Sequence, residues 1–229
     1  MNNNETNSEK KLLPYITAFF VGSLIISNIL ATKMVAIGPF VFDGGTMLFP
    51  FSYVVSDVLA EVYGFKQTWK VILFGFLMML FVNMNILFIS VLPAESSWTF
   101  QQSYENILLQ MPRITLGSVC GYLTGNYSNS VFLSLIKVKM EGKFLFIRTI
   151  GSSIVGEFLD SLVFVTIAFF GLYDVHVLLV MVLSNYVFKL VIEIVCTPIT
   201  YKVIGFVKEK EQLDTYDYQV SYNPFTLKK

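Results

Sequence analysis

V-I-L-F-G-F-L-M-M-L-F-V-N-M-N-I-L-F-I-S-V-L, residues Val71–Leu92, contains no charged side chain. Coiled as an α-helix it would be about 33 Å long, enough to cross a bilayer hydrocarbon core of about 30 Å. Outward from this stretch the pattern recurs. Leu12–Ala31, Leu162–Leu172 with its upstream turns, and Val177–Ile199 are comparably apolar, and Met47–Tyr63 and Met111–Leu135 are long enough but carry polar interruptions. The composition agrees: 55% of the residues are hydrophobic, 14% are charged and the mean hydropathy is +0.64. A soluble domain carries roughly 25% charged residues, so the deficit points to lipid as the solvent.

Helices are predicted over 12–32, 46–64, 68–92, 109–136, 147–171 and 175–206, which makes the fold an all-α integral membrane protein with six transmembrane helices. The domain plan is a cytoplasmic N-terminal tail (1–11), a transmembrane domain (12–206) and a cytoplasmic C-terminal tail (207–229). Met1–Glu9 is polar and acidic, and no small-residue cleavage pattern follows the first apolar block, so that block is expected to be retained as a helix rather than removed as a signal peptide. Lys33–Gly45 alternates apolar and turn residues, which suits an external hairpin or a re-entrant piece. Ala94–Asn106 is polar and expected outside.

Charge sets the orientation. Lys10, Lys11, Lys66, Lys70, Lys137, Lys139, Lys143, Lys202, Lys208, Lys210, Lys228 and Lys229 fall in or beside the two tails and the second and fourth connections, whereas the other three connections contain only Lys33. Lysine accumulates on the cytoplasmic side, so both termini are expected in the cytoplasm and the chain in an inner membrane.

The two cysteines, Cys120 and Cys196, have no disulfide or metal-ligand spacing and read as packing residues. The single histidine, His176, falls at an outer helix start. There is no phosphate-binding loop, no H-E-x-x-H and no Gly-x-Ser-x-Gly, so ATP hydrolysis, zinc peptidase and serine hydrolase chemistry are not expected, nor is any cofactor or metal.

Gly117, Gly121 and Gly125 recur every four residues, a small-residue face that lets another helix approach closely. Glycine packing does not account for the charges. Lys33, Asp57, Glu61, Arg113, Arg148, Glu157, Asp160, Lys189 and Glu193 fall in or at the ends of predicted spans, where each costs about 2.5 to 3.5 kcal/mol at mid-bilayer and must face a polar interior. Asp57 and Glu61 share a helix face, as do Glu157 and Asp160, and Lys189 and Glu193. Two carboxylates on one face repel unless a cation, a proton or a donor-rich ligand lies between them. A polar cavity near the midplane follows, with Asn28, Asn126 and Asn129 beside it and Phe51, Tyr53, Tyr122 and Tyr127 near enough in sequence to stack. A carboxylate binds two adjacent N–H donors side by side, as the amide and amine of a guanine-like edge present them. Residue chemistry alone stops at a carrier for a small polar solute. A proton carried in with the solute and direct binding of a cationic group both fit the acids.

Val55-Ser56-Asp57-Val58-Leu59 is similar to Val155-Gly156-Glu157-Phe158-Leu159, which would suit two inverted three-helix halves. More specific are S-N-I-L-A-T-K (Ser27–Lys33), F-P-F-S-Y-V-V-S-D-V-L-A-E-V-Y-G (Phe49–Gly64), R-T-I-G-S-S-I-V-G-E-F-L-D-S (Arg148–Ser161) and K-L-V-I-E-I-V-C-T-P (Lys189–Pro198). In these stretches, and across about residues 20–205, the chain resembles the queuosine-precursor transporter family, also called the vitamin uptake transporter family. The resemblance implies uptake of 7-deazaguanine compounds (cyano and aminomethyl bases, queuine or the nucleoside) for tRNA modification, with no direct contact to nucleic acid. The family's polar positions map onto Asn28, Lys33, Asp57, Glu61, Arg113, Arg148, Glu157, Asp160, Lys189 and Glu193. Of these, Asn28, Asp57, Glu61, Arg113, Glu157, Asp160, Lys189 and Glu193, together with Asn126, are the expected substrate-binding residues. Where many relatives carry G-Q-x-x-D, this chain has Gly125-Asn126-Tyr127-Ser128-Asn129, which leaves the choice among precursors open. The alternative is the substrate-binding membrane subunit of an ATP-driven vitamin-type uptake system. Self-association into a homodimer and an energising module both remain compatible with the sequence.

Topology is checked by thiol labelling in a cysteine-free background. A cysteine at Ser97 is expected to react with an impermeant reagent from outside and one at Glu141 only from inside; the reverse pattern would overturn the orientation.

Overall fold

The computed structural model describes residues 10–139 and 145–213; the side chains at 49, 53, 65, 126, 127, 129–150 and 152 lie outside the described set, as do the tail residues 1–9 and 214–229. The described chain is helical apart from one hairpin. Its elements are α1 (Leu13–Leu30), β1 (Met34–Ile37), β2 (Phe40–Asp43), a 3-10 turn (Gly44–Leu48), α2 (Phe49–Tyr63), α3 (Phe65–Ser90), α4 (Gln101–Leu108), α5 (Met111–Lys139), α6 (Leu145–Phe169) and α7 (Val175–Glu211).

Each of the six predicted helices has a counterpart, in α1, α2, α3, α5, α6 and α7. Among the described residues three helical segments are long and apolar enough to cross a membrane: Leu13–Leu30, Lys66–Ser90 and Val175–Glu211. The 15 residues of α2 extend only about 22 Å, short of a hydrocarbon core of about 30 Å. The chain is a membrane protein on these spans, and large apolar side chains such as Leu77, Phe81, Met84 and Phe88 on α3 lie exposed along them, as a lipid-facing surface requires.

Two boundaries differ from the sequence expectation. The polar segment expected as a loop after α3 contains α4, because Gln101 and Gln102 each donate to a side chain four residues on, Gln101 to Glu105 at 2.5 Å and Gln102 to Asn106 at 2.9 Å, contacts that support a short surface helix. At the other end of the chain α7 continues to Glu211 across an internal proline, Pro198. The Thr197 hydroxyl donates to the Glu193 carbonyl at 2.6 Å and Thr200 to that of Cys196 at 3.0 Å, on either side of the Ile194 carbonyl whose helical donor the proline removes.

The expected hairpin is present. β1 and β2 pair antiparallel, Met34 opposite Asp43 and Ile37 opposite Phe40, around a Gly38-Pro39 turn in which Gly38 has φ 59°. The small-residue face of α5 meets α6 as the spacing implied. A Cβ on Gly117 would come within 3.1 Å of the Phe164 carbonyl oxygen, one on Gly121 within 2.8 Å of an Asp160 carboxylate oxygen, and one on Gly125 within 2.8 Å of the Asp160 Cβ. The glycines therefore bring α5 against the face of α6 that carries Asp160.

Two apolar clusters form the core. One joins Phe20, Val58, Leu59, Val62, Val71, Ile72, Ile204 and Val207 at the C-terminal end of α7. The other joins Ala31, Ile114, Val165, Ala168, Phe169, Leu178 and Met181 near its N-terminal end. The polar side chains lie between them.

Candidate functional site

Between the two clusters lies a cavity of about 290 Å³, at the lower end of the roughly 300–1,000 Å³ usual for small-molecule sites. Ser27 and Asn28 of α1, Ser56 and Asp57 of α2, Ser118 and Tyr122 of α5, Glu157 and Asp160 of α6, and Lys189 of α7 reach its wall, as do Asp43, Gly45 and Thr46 from the hairpin and the turn after it. Phe20 and Ile72 of one apolar cluster and Ala31 of the other also line it.

Lys189 is the centre of the charged wall. Its ammonium donates to Asp160 and lies 3.8 Å from a Glu157 carboxylate oxygen, and it interacts electrostatically with Asp43 as well. All three ion-pair side chains are buried, at 9%, 13% and 17% exposure for Lys189, Glu157 and Asp160. The two α6 acids, which would repel on one helix face, are reconciled by a cation from the neighbouring helix. On the sequence, Glu193 was the residue spaced to pair with Lys189. Instead Glu193 accepts a hydrogen bond from Ser153 at 2.7 Å and faces Asp57 electrostatically.

Asp57 and Glu61 part company. Asp57 lines the cavity, whereas Glu61, one turn further along α2, pairs with Lys208 at 2.7 Å on an exposed surface, its own side chain 58% exposed. Arg113 also lies away from the cavity wall: it donates to the carbonyls of Ile167, at 2.6 Å, and Phe170, where α6 ends, and so caps carbonyls that have no helical partner. Lys33 is exposed. Asn126 lies on α5, but its side chain, like those of Tyr53, Tyr127, Asn129 and Arg148, lies outside the described residues.

Asn28 is buried at the cavity wall and fully engaged. Its amide donates to the Leu24 carbonyl at 2.9 Å and the Met79 sulfur at 3.0 Å, and its carbonyl oxygen accepts from Ser118 at 3.3 Å and Thr115 at 3.4 Å. Asn83 donates to Thr115 at 2.8 Å, so α1, α3 and α5 are tied by one polar chain. Sequence reasoning missed Asn83, Thr115 and Ser118, although uncharged polar residues inside apolar spans were a visible signal. It also missed Asp43, which falls on the hairpin rather than on a helix.

A buried ammonium beside carboxylates, at a small cavity lined by six helices together with the hairpin and its turn, is the candidate site. A family described as "Putative vitamin uptake transporter" matches residues 43–203. The chain belongs to this family. It is a transporter and not an enzyme. It is also similar to a "Probable queuosine precursor transporter" of Bacillus subtilis (strain 168), 25% identical over 192 residues that cover 82% of this chain and 82% of that protein. No solved structure matches.

Removing Lys189 leaves two buried carboxylates without their cation, a loss of about 3 to 5 kcal/mol when one partner of a buried pair is deleted. Lys189→Met is therefore expected to lower the melting temperature of the purified transporter sharply, and Lys189→Met combined with Asp160→Asn to recover part of the loss. Glu61→Gln breaks only an exposed pair, worth about 0 to 1 kcal/mol, and is expected to leave the melting curve nearly unchanged. Equal shifts for the two single variants would contradict the assignment of Lys189 as the buried hub.

Proposed function

We propose that the transporter imports queuosine precursors of the 7-deazaguanine class across the cytoplasmic membrane, with six helices crossing and both termini inside. The observation that carries the substrate class is the acid-rich cavity wall. Asp57, Glu157 and Asp160 present carboxylate oxygens around a space of about 290 Å³, and carboxylates match adjacent N–H donors of a guanine-type edge. The similarity to the "Probable queuosine precursor transporter" of Bacillus subtilis supports the same class. Tyr122, in edge contact with Phe76 at 5.8 Å between ring centroids, offers an aromatic surface at the same wall, and a cavity of this size suits a free base better than a nucleoside.

The proposed topology gains support from the turn before α2. Gly44–Leu48 precedes Phe49–Tyr63 without a break, so the second crossing consists of turn and helix together. In this arrangement the hairpin and Lys33 lie outside, and the Glu61–Lys208 pair lies at the cytoplasmic end. The recognition set is then Asp57, Glu157, Asp160 and Lys189, with Asn28 held at the wall and Glu193 bonded to Ser153 beside it.

Transport follows from letting the two apolar clusters open in turn. Solute enters when the cluster around Phe169 and Met181 parts, binds between the acids, and leaves when the cluster around Leu59 and Ile204 parts. The experiment is uptake of radiolabelled 7-cyano-7-deazaguanine and 7-aminomethyl-7-deazaguanine by liposomes containing only the purified protein. Wild type is expected to take up at least one base without an ATPase subunit. Glu157→Gln is expected to abolish measurable uptake while still inserting, since loss of one partner of a buried charged contact costs about 2 to 5 kcal/mol. No uptake of either base by wild type would overturn the proposal, and near-normal uptake by Glu157→Gln would assign Glu157 to packing.

A further inference from the structure

The hairpin brings one carboxylate to the cavity that no helix supplies. We propose that Asp43 is a specificity-determining residue of the transport site, a carboxylate delivered by the hairpin that accepts an N–H from the bound solute. The proposal rests on the uptake function above and extends it to a residue outside the helical bundle.

The local geometry leaves one side of this carboxylate open. Asp43 is 2% exposed and reaches the cavity wall. Its Oδ2 accepts from the Thr46 hydroxyl at 2.8 Å and the Asn185 amide at 3.2 Å, whereas Oδ1 accepts only from the Thr46 backbone amide, at 3.1 Å, among the described residues. A carboxylate oxygen offers two lone-pair directions, so Oδ2 is saturated and Oδ1 retains one. A Cβ on Gly45 would run into the Ser27 backbone carbonyl of α1 first and would also come within 2.9 Å of Oδ1, so the glycine lets the turn pack against α1 beside that oxygen. Gly45 also lines the cavity.

The surroundings hold the group in place. The Thr46 hydroxyl lies within 2.9 Å of Asn185 Oδ1 as well as of Asp43 Oδ2, and its one proton serves one of the two oxygens at a time, so aspartate, threonine and asparagine form a compact polar cluster. The Val41 amide donates to the Ser184 hydroxyl at 3.1 Å, and the Phe42 ring stacks on Phe188 with centroids 5.6 Å apart. These contacts clamp β2 along α7 one to two turns before Lys189. On the other side Ser27 donates to the Gly45 carbonyl at 3.1 Å, tying the turn to α1. Asp43 thus enters the electrostatic field of Lys189 together with Asp160 and Glu157. One ammonium faces three carboxylates there, and solute N–H donors complete the balance.

Holding the carboxylate in place for structural reasons alone would need no open lone pair. A recognition role predicts that its loss weakens solute binding without slowing the transport cycle. The test is the concentration dependence of 7-cyano-7-deazaguanine and 7-aminomethyl-7-deazaguanine uptake by wild type, Asp43→Asn and Thr46→Val in liposomes, normalised to inserted protein. Asp43→Asn is expected to raise the half-saturating concentration about tenfold or more, with the maximal rate changed less than about twofold. Thr46→Val, which keeps the carboxylate but removes one of the donors that orient it, is expected to raise it about threefold. If Asp43→Asn fails to insert, the Thr46→Val curve decides. An unchanged half-saturating concentration, or a loss confined to the maximal rate, would overturn the role of Asp43 while leaving the uptake function standing. A wild type that takes up neither base would overturn both.

Discussion

An ammonium enclosed by apolar helices is tolerated only where carboxylates lie beside it, and Lys189 meets that condition through Asp160 and Glu157. Much of the remaining structure depends on the arrangement. Deleting one member strands the others in low dielectric, where the penalty is several kcal/mol per ion. The cluster therefore ties α6 and α7 into one unit. It also leaves more acid than base at the cavity wall, and the proposed recognition of a solute rich in N–H donors rests on that imbalance.

The helices reach this geometry by unlike means. α5 and α6 approach through glycine, with Gly121 and Gly125 set directly against Asp160, so the acid is positioned by a surface that has no side chains to displace it. α1, α3 and α5 are joined by uncharged hydrogen bonds through Asn28, Thr115 and Asn83. Such a seam satisfies polar groups in lipid without a net charge. α7 makes contact with both apolar clusters, and Pro198 lies between its charged stretch and its far end. A helix shared by both closures, with proline between the site and one of them, is a suitable part for opening the two ends in alternation.

Much of the fold was legible because lipid imposes simple rules. Long apolar runs located α1, α3 and α7, and four-residue glycine spacing located the α5 face that packs on α6. The site was legible in part. Helix-spaced acids identified Asp57, Glu157 and Asp160, which line one cavity with Lys189. Periodicity gives a shared face but not depth along the helix, so it could not separate Asp57 from Glu61, which lies one turn away on the surface with Lys208. It also could not choose the partner of Lys189, because a lysine stem reaches a neighbouring helix as readily as its own next turn. Arg113 read as a site residue on charge alone, whereas its guanidinium closes the end of α6. Asp43 escaped because its contact to Asn185 lies more than a hundred positions away in sequence, and hairpin residues give no helical period to follow.

The central claim is that the cavity between the two apolar clusters is where the solute binds. Ligand protection tests it most directly, using a cysteine at Ser56, which lines the cavity, in a protein carrying Cys120→Ser and Cys196→Ser. Saturating 7-cyano-7-deazaguanine or 7-aminomethyl-7-deazaguanine is expected to slow alkylation of that cysteine about tenfold or more, with no effect on a control cysteine at Ser97. Equal alkylation rates with and without either base would contradict the claim.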